Sequence, residues 1–136
     1  MKCLLDTDTC ITLLRDTSEA VARRLARAIT RDGAVGVSSI VVYELWHGAY
    51  NSARLEENAA TLRKFLRGQV EVLPFDEEDA RRAGEIRSEL LRTGRTIGSY
   101  DTLIAGQGLN RNLVVVTSNL SEFQRVKGLR CEDWAR

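Results

Sequence analysis

Short apolar runs alternate with longer stretches of helical periodicity along the whole chain. The runs are Leu4–Leu5, Ala34–Val37, Val70–Leu73 and Leu113–Thr117. Each is too short for a stable helix, and apolar runs without polar alternation fit strands covered on both faces. Between them, apolar residues recur at helical spacing: Val21, Leu25, Ala28 and Ile29 in one stretch, Leu55, Ala59, Leu62 and Leu66 in another. That spacing marks one face of an amphipathic helix. Strand, helix and strand in alternation predict a three-layer α/β/α domain with a mostly parallel central sheet of four to five strands. A chain of 136 residues is the size of one domain, and residues 1–136 read as one unit.

Capping residues place the helices more closely. A first helix is expected from about Asp8 to Leu14, capped by Thr7 or Asp8. A second starts near Thr17–Ser18 and stops at Asp32–Gly33. Ser38–Ser39 caps a third, which carries Ile40 to Ala49. Asp76-Glu77-Glu78-Asp79 opens a long fifth helix, where acids favour the dipole and cap the first turn. That helix ends near Thr93–Gly94. Arg95 to Ser99 is a loop, and a sixth helix begins at Tyr100 with Ser99 as its cap. A turn around Glu122 and Phe123 and a short strand at Leu129–Cys131 close the chain.

Three acids stand apart from the solvated ones. Asp6 ends the first apolar strand, and ligands of open α/β sheets bind outside the carboxyl ends of strands. Glu44 is embedded among apolar neighbours, an unusual place for a carboxylate without a partner. Asp101 lies in the first turn of an otherwise apolar helix. Each has a structural alternative: Asp6 or Asp101 as a helix cap, Glu44 as half of an ion pair. Brought together, the three would repel one another, and a divalent cation relieves that cost. Oxygen ligands select Mg²⁺, or Mn²⁺ in its place, and the chemistry that follows is phosphodiester hydrolysis.

Charge and cysteine content set the context. The net charge of +1 favours no class of partner, but arginines group at 15–31 and 81–95, and the planar guanidinium suits phosphate. No apolar run is long enough to cross a bilayer and no secretory leader is recognisable, so no membrane association is expected. Cys3, Cys10 and Cys131 form no zinc or disulfide spacing; Cys3 and Cys10 are expected to pack as small hydrophobes, in a reducing cytoplasmic setting. His47, the lone histidine, is read as structural, and Trp46 and Trp134 as packing or dimer surface.

Four blocks then resemble those of the PIN domain: Leu4-Leu5-Asp6-Thr7-Asp8, Val42 to Ala49, Ile97 to Ala105, and Val116 to Phe123. The ending Arg125 to Trp134 is similar to that of VapC-type toxins of bacterial toxin–antitoxin pairs. The resemblance implies a Mg²⁺-dependent endoribonuclease acting on a structured RNA such as a tRNA. It implies Asp6 and Asp101 as metal ligands, with Glu44 completing the site, and Thr7 and Thr117 as supporting hydroxyls. It further implies a homodimer and a small VapB-like antitoxin lying across the acidic site. Where many PIN domains carry a fourth acid, this chain has Asn119, with Glu122 close by in sequence; a single bound Mg²⁺ is therefore expected in preference to two. Arg87 and Arg95 are the arginines assigned to RNA.

Two other readings use the same residues. Asp6-Thr7-Asp8-Thr9-Cys10 also resembles the opening of haloacid-dehalogenase-type phosphatases, with Asp6 as nucleophile, though Cys10 replaces the expected threonine and Glu44 is left without a role. A non-catalytic PIN-like module that binds RNA or protein is the second.

Overall fold

The computed structural model describes residues 1–136. Five strands form one sheet: β1 (Cys3–Leu5), β2 (Gly36–Ser38), β3 (Glu71–Leu73), β4 (Val114–Val116) and β5 (Cys131–Glu132). Their order is β3-β2-β1-β4-β5, and every neighbouring pair is parallel. Seven helices connect and cover them: α1 (Thr7–Arg15), α2 (Glu19–Asp32), α3 (Ser39–Tyr50), α4 (Leu55–Gly68), α5 (Glu77–Arg92), α6 (Ser99–Asn110) and α7 (Leu120–Phe123). The expected three-layer α/β/α architecture is present, and the sheet is wholly rather than mostly parallel.

The central strands are buried on both faces, which is why they read as unbroken apolar runs. Leu4, Leu5, Val37, Val115 and Val116 are sealed from solvent. Burying each such side chain stabilises the fold by about 1.5–3 kcal/mol. Cys3 and Cys10 belong to the same core cluster as small apolar groups, and all three cysteines are free. No helix is long and apolar enough to cross a membrane.

Two helix starts differ from the sequence reading. The cap of α1 is Asp6, whose carboxylate accepts from the Thr9 amide at 2.9 Å; Thr7 is already helical. Asp6 leaves β1 in extended conformation, as a capping residue must. The cap of α6 is Gly98, which has no side chain to offer, and Ser99 is the first residue of the helix. The acidic run before α5 does cap it: Asp76 and Asp79 exchange side-chain and backbone hydrogen bonds, each 3.0 Å long.

Helices α5 and α6 pack closely because their contact is built from small residues. A Cβ placed on Gly106 would lie 2.7 Å from Ala83 backbone atoms. This close approach fixes the axis of α6, and with it the position of Asp101 at the other end of that helix.

Candidate active site

Sheet order changes direction at β1. The chain crosses from β1 to β2 on one side, while β4 pairs with the other edge. The crevice beyond the carboxyl ends of β1 and β4 is therefore the switch point at which α/β sheets take ligands. Asp6 follows β1 there, held by its amide to Val116 O at 3.0 Å. Thr117 follows β4 and is fully buried.

Four acids from four segments face this crevice. Asp6 is 3% exposed. Burial pushes its carboxyl above the ordinary range, opposed by hydrogen bonding from Thr117 and Thr9. Glu44, on α3, accepts the Thr7 hydroxyl at 2.6 Å. Asp101, in the first turn of α6, is raised to about 7 by desolvation, then by hydrogen bonding with Glu122, and then by the charges of Glu122, Asp6 and Glu44. Two carboxyl groups can hydrogen-bond only when one carries a proton, and burial beside Glu122 favours the protonated form of Asp101. Asn119 fixes Glu122 from the other side, its amide donating to Oε2 at 2.7 Å. The amide of Asn119 in turn donates to the Thr117 hydroxyl at 2.9 Å.

The residues singled out in the sequence thus divide. Asp6, Glu44 and Asp101 share one crevice, with Thr7, Thr117, Asn119 and Glu122 around them. Arg87 lines a groove of about 410 Å³ between α5 and α6, together with Ser99 and Thr102 on either side of Asp101. Arg95 is exposed, and only its backbone, donating to Leu90 O at 2.9 Å, ties it to the fold. His47 is exposed and its side chain makes no hydrogen bond. Thr9 was not anticipated: it is buried, its amide binds Asp6, and its hydroxyl donates to Val116 O at 3.1 Å. A hydroxyl three residues after a capping aspartate is the only signal the sequence carried for it.

The donors suit a hard divalent cation. They are oxygen atoms throughout, and a cation beside Asp101 would relieve the repulsion that raises its carboxyl. No three His, Cys, Asp or Glu side chains approach closely enough to hold an ion between them, whereas Mg²⁺ needs only one or two carboxylates and keeps most of its waters. The phosphatase reading finds less here. Cys10, at the position where that motif needs a hydroxyl, is sealed in the core, and Glu44 has no role in it.

Comparison with known proteins identifies the family. The family model of the PIN domain matches residues 3–129. The chain is 42% identical over 134 residues to a tRNA(fMet)-specific endonuclease VapC of Salmonella typhimurium, spanning 98% of both proteins. It is 38% identical over 135 residues to the tRNA(fMet)-specific endonuclease VapC of Shigella flexneri, spanning 99% of both. Among solved structures, that of DNA-bound VapBC from Salmonella typhimurium superimposes with a TM-score of 0.91 over 98% of each chain at 42% identity. A family match over nearly the whole length, with full-length relatives at these identities, establishes that the chain belongs to the PIN domain family, among its VapC members.

Proposed function

We propose that this protein is a Mg²⁺-dependent endoribonuclease, the toxin of a type II toxin–antitoxin pair, and that its substrate is a tRNA. The observation that carries the reading is the convergence of Asp6, Glu44, Asp101 and Glu122, from four separate segments, on one crevice beyond the strand ends. Acids held together at such a cost are kept for a cation. The tRNA substrate follows from the relatives at 42% and 38% identity, both described as tRNA(fMet)-specific.

Asp6 and Asp101 are the residues to hold the ion directly, with Glu44 and Glu122 completing its surroundings. Mn²⁺ would satisfy the same oxygen set. A bound divalent ion supplies charge neutralisation at the phosphoryl group and lowers the cost of making a nucleophile from water. The protein's own part is positioning. Strand β1 and the Thr9 amide fix Asp6; Thr7 fixes Glu44; Asn119 fixes Glu122. Arg87, in the groove next to Ser99 and Thr102, and the exposed Arg95 are the arginines to grip the RNA backbone.

A groove lined by Ile11, Leu14, Leu45 and Leu62 runs between α1, α3 and α4 and ends at Glu44. It supports an antitoxin segment that lies across the acids and silences them, as does the description of the solved relative as a VapBC complex. The active form is a cytoplasmic homodimer. The test is cleavage of tRNA by the purified chain, lost with EDTA and restored with Mg²⁺, and absent in Asp6→Asn and Asp101→Asn. Undiminished cleavage by either folded variant would overturn the assignment. RNA binding without any cleavage by the native chain would favour the non-catalytic module.

A further inference from the structure

Glu44 and Asp101 each follow a tyrosine, and the two tyrosines meet. The rings of Tyr43 and Tyr100 lie 5.7 Å apart with their planes tilted by 51°. Their hydroxyls are 3.3 Å apart. Tyr43 is 57% exposed and Tyr100 41%, and neither belongs to the buried core cluster. Successive helical residues diverge by about 100°, so each ring stands beside its acid without covering it. Because each ring is carried one residue before its acid and the two rings touch, the acids and the rings lie along one continuous lip.

We infer that Tyr43 and Tyr100 form a stacking platform for an unpaired nucleobase adjoining the phosphodiester held at the acids. This deepens the nuclease reading of the site and rests on it. A phosphodiester at Asp6 and Asp101 carries a nucleotide on each side, and rings one residue from the acids lie within reach of one of them. Any base offers a π face, so such a platform accepts every sequence, and it requires the base to be unstacked, as in an RNA loop. The hydroxyls contribute little as a tie between α3 and α6, because an exposed pair of phenols exchanges readily with water. The ring faces are what the arrangement leaves available. One stacked base is worth a factor of about 5 to 150 in affinity.

The test measures binding of a labelled RNA hairpin with an unpaired loop, and of the same hairpin with an abasic loop. Asp6→Asn serves as the background, so that no RNA is cut. With both tyrosines present, the abasic loop should bind about 10-fold or more weakly. Tyr43→Ala with Tyr100→Ala should bind both hairpins alike, whereas the paired Phe replacements should keep the difference. Continued discrimination by the Ala variant overturns the platform, as does absence of binding to either hairpin. Loss in the Phe variant equal to that in the Ala variant assigns the pair to its hydroxyls and overturns it too. A change of oligomeric state in the Ala variant by light scattering assigns the rings to a second copy of the chain, with the same consequence. The nuclease reading is judged separately on the native chain: a base-dependent difference without cleavage in Mg²⁺ would sink that reading and leave the platform standing.

Discussion

The Thr7 hydroxyl donates to Glu44 Oε1 at 2.6 Å, joining the first residue of α1 to the middle of α3. One carboxylate oxygen is thereby committed to orientation. Charge-assisted bonds of this length are among the stronger ones in proteins.

Thr7→Val keeps the shape and removes the donor. It should cost about 1.5–3 kcal/mol of whatever step Glu44 supports, or roughly a 10- to 150-fold drop in cleavage. Thr7→Ser should retain most of the rate. Single-turnover cleavage of one RNA by the three proteins decides it; equal rates for Val and native chains would show that Glu44 needs no orienting partner.

Asp101 ties function to stability with opposite signs. Its folded value of about 7 lies above that of an unfolded aspartate, about 4. The metal-free chain therefore loses stability as pH rises from about 4 towards about 7, where the charged form is forced on a crowded site. Asp101→Asn removes that loss. It should raise the metal-free melting temperature at neutral pH, by an amount worth about 1–2 kcal/mol after relaxation, while abolishing cleavage. A lower melting temperature for the variant would mean the native site is not strained by its charges.

The same proton opposes the cation. Below about pH 7, protonation of Asp101 competes with Mg²⁺, so apparent metal affinity should fall by up to about tenfold per pH unit. Magnesium titrations of cleavage at several pH values measure this. In Glu122→Gln the fall should begin at lower pH, because the first charge partner of Asp101 is gone.

These sites were legible in the sequence to different depths. Asp6, Glu44 and Asp101 could be singled out because each contradicts its surroundings: a charge at the end of a buried strand, or within an apolar helix face. The caps of α1 and α6 were displaced by one residue. Asp6, Thr7 and Asp8 are all adequate caps chemically, and only the extended backbone at Asp6 (φ −80°, ψ 176°) separates them. That Glu122 reaches Asp101, and that Asn119 serves Glu122, depends on how α7 docks beside α6. No periodicity encodes that docking. The meeting of Tyr43 with Tyr100 was hidden for the same reason, since it depends on packing between α3 and α6.

Adjacent residues at the α5–α6 contact should respond oppositely to an added methyl group. Gly106→Ala drives a Cβ to 2.7 Å from the Ala83 backbone and should destabilise by about 1–3 kcal/mol. Because α6 carries Asp101, cleavage should fall as well. Gly84→Ala, one residue from Ala83, meets nothing within 4 Å and should stabilise by about 0.5–1 kcal/mol through helix propensity alone. Chemical denaturation of the two variants tests both signs; equal stabilities would mean that α6 can shift freely, and Asp101 with it.

Far from the acids, Arg111 and Asp79 supply a pH dependence of another kind. Arg111 donates to Asp79 Oδ2 at 2.8 Å and to Oδ1 at 3.2 Å, and the Asp79 side chain is fully buried. Desolvation alone would raise the carboxyl, but Arg111, the Asp76 amide and Asn110 together hold it below the ordinary range. A lowered carboxyl contributes stability above its unfolded value of about 4 and loses it as pH falls through the folded value. Arg111→Ala leaves burial unopposed by the guanidinium, so Asp79 should move upward and prefer its proton. The variant should be weaker than the native chain by about 3 kcal/mol at neutral pH, where the stranded charge is most costly. The gap should narrow as pH falls, because the folded variant relieves its stranded charge by taking up a proton on Asp79 while the native carboxylate stays charged. Parallel urea titrations from neutral pH into the acid range measure that gap; one that is constant with pH would show that Arg111 acts through packing and not through the charge of Asp79.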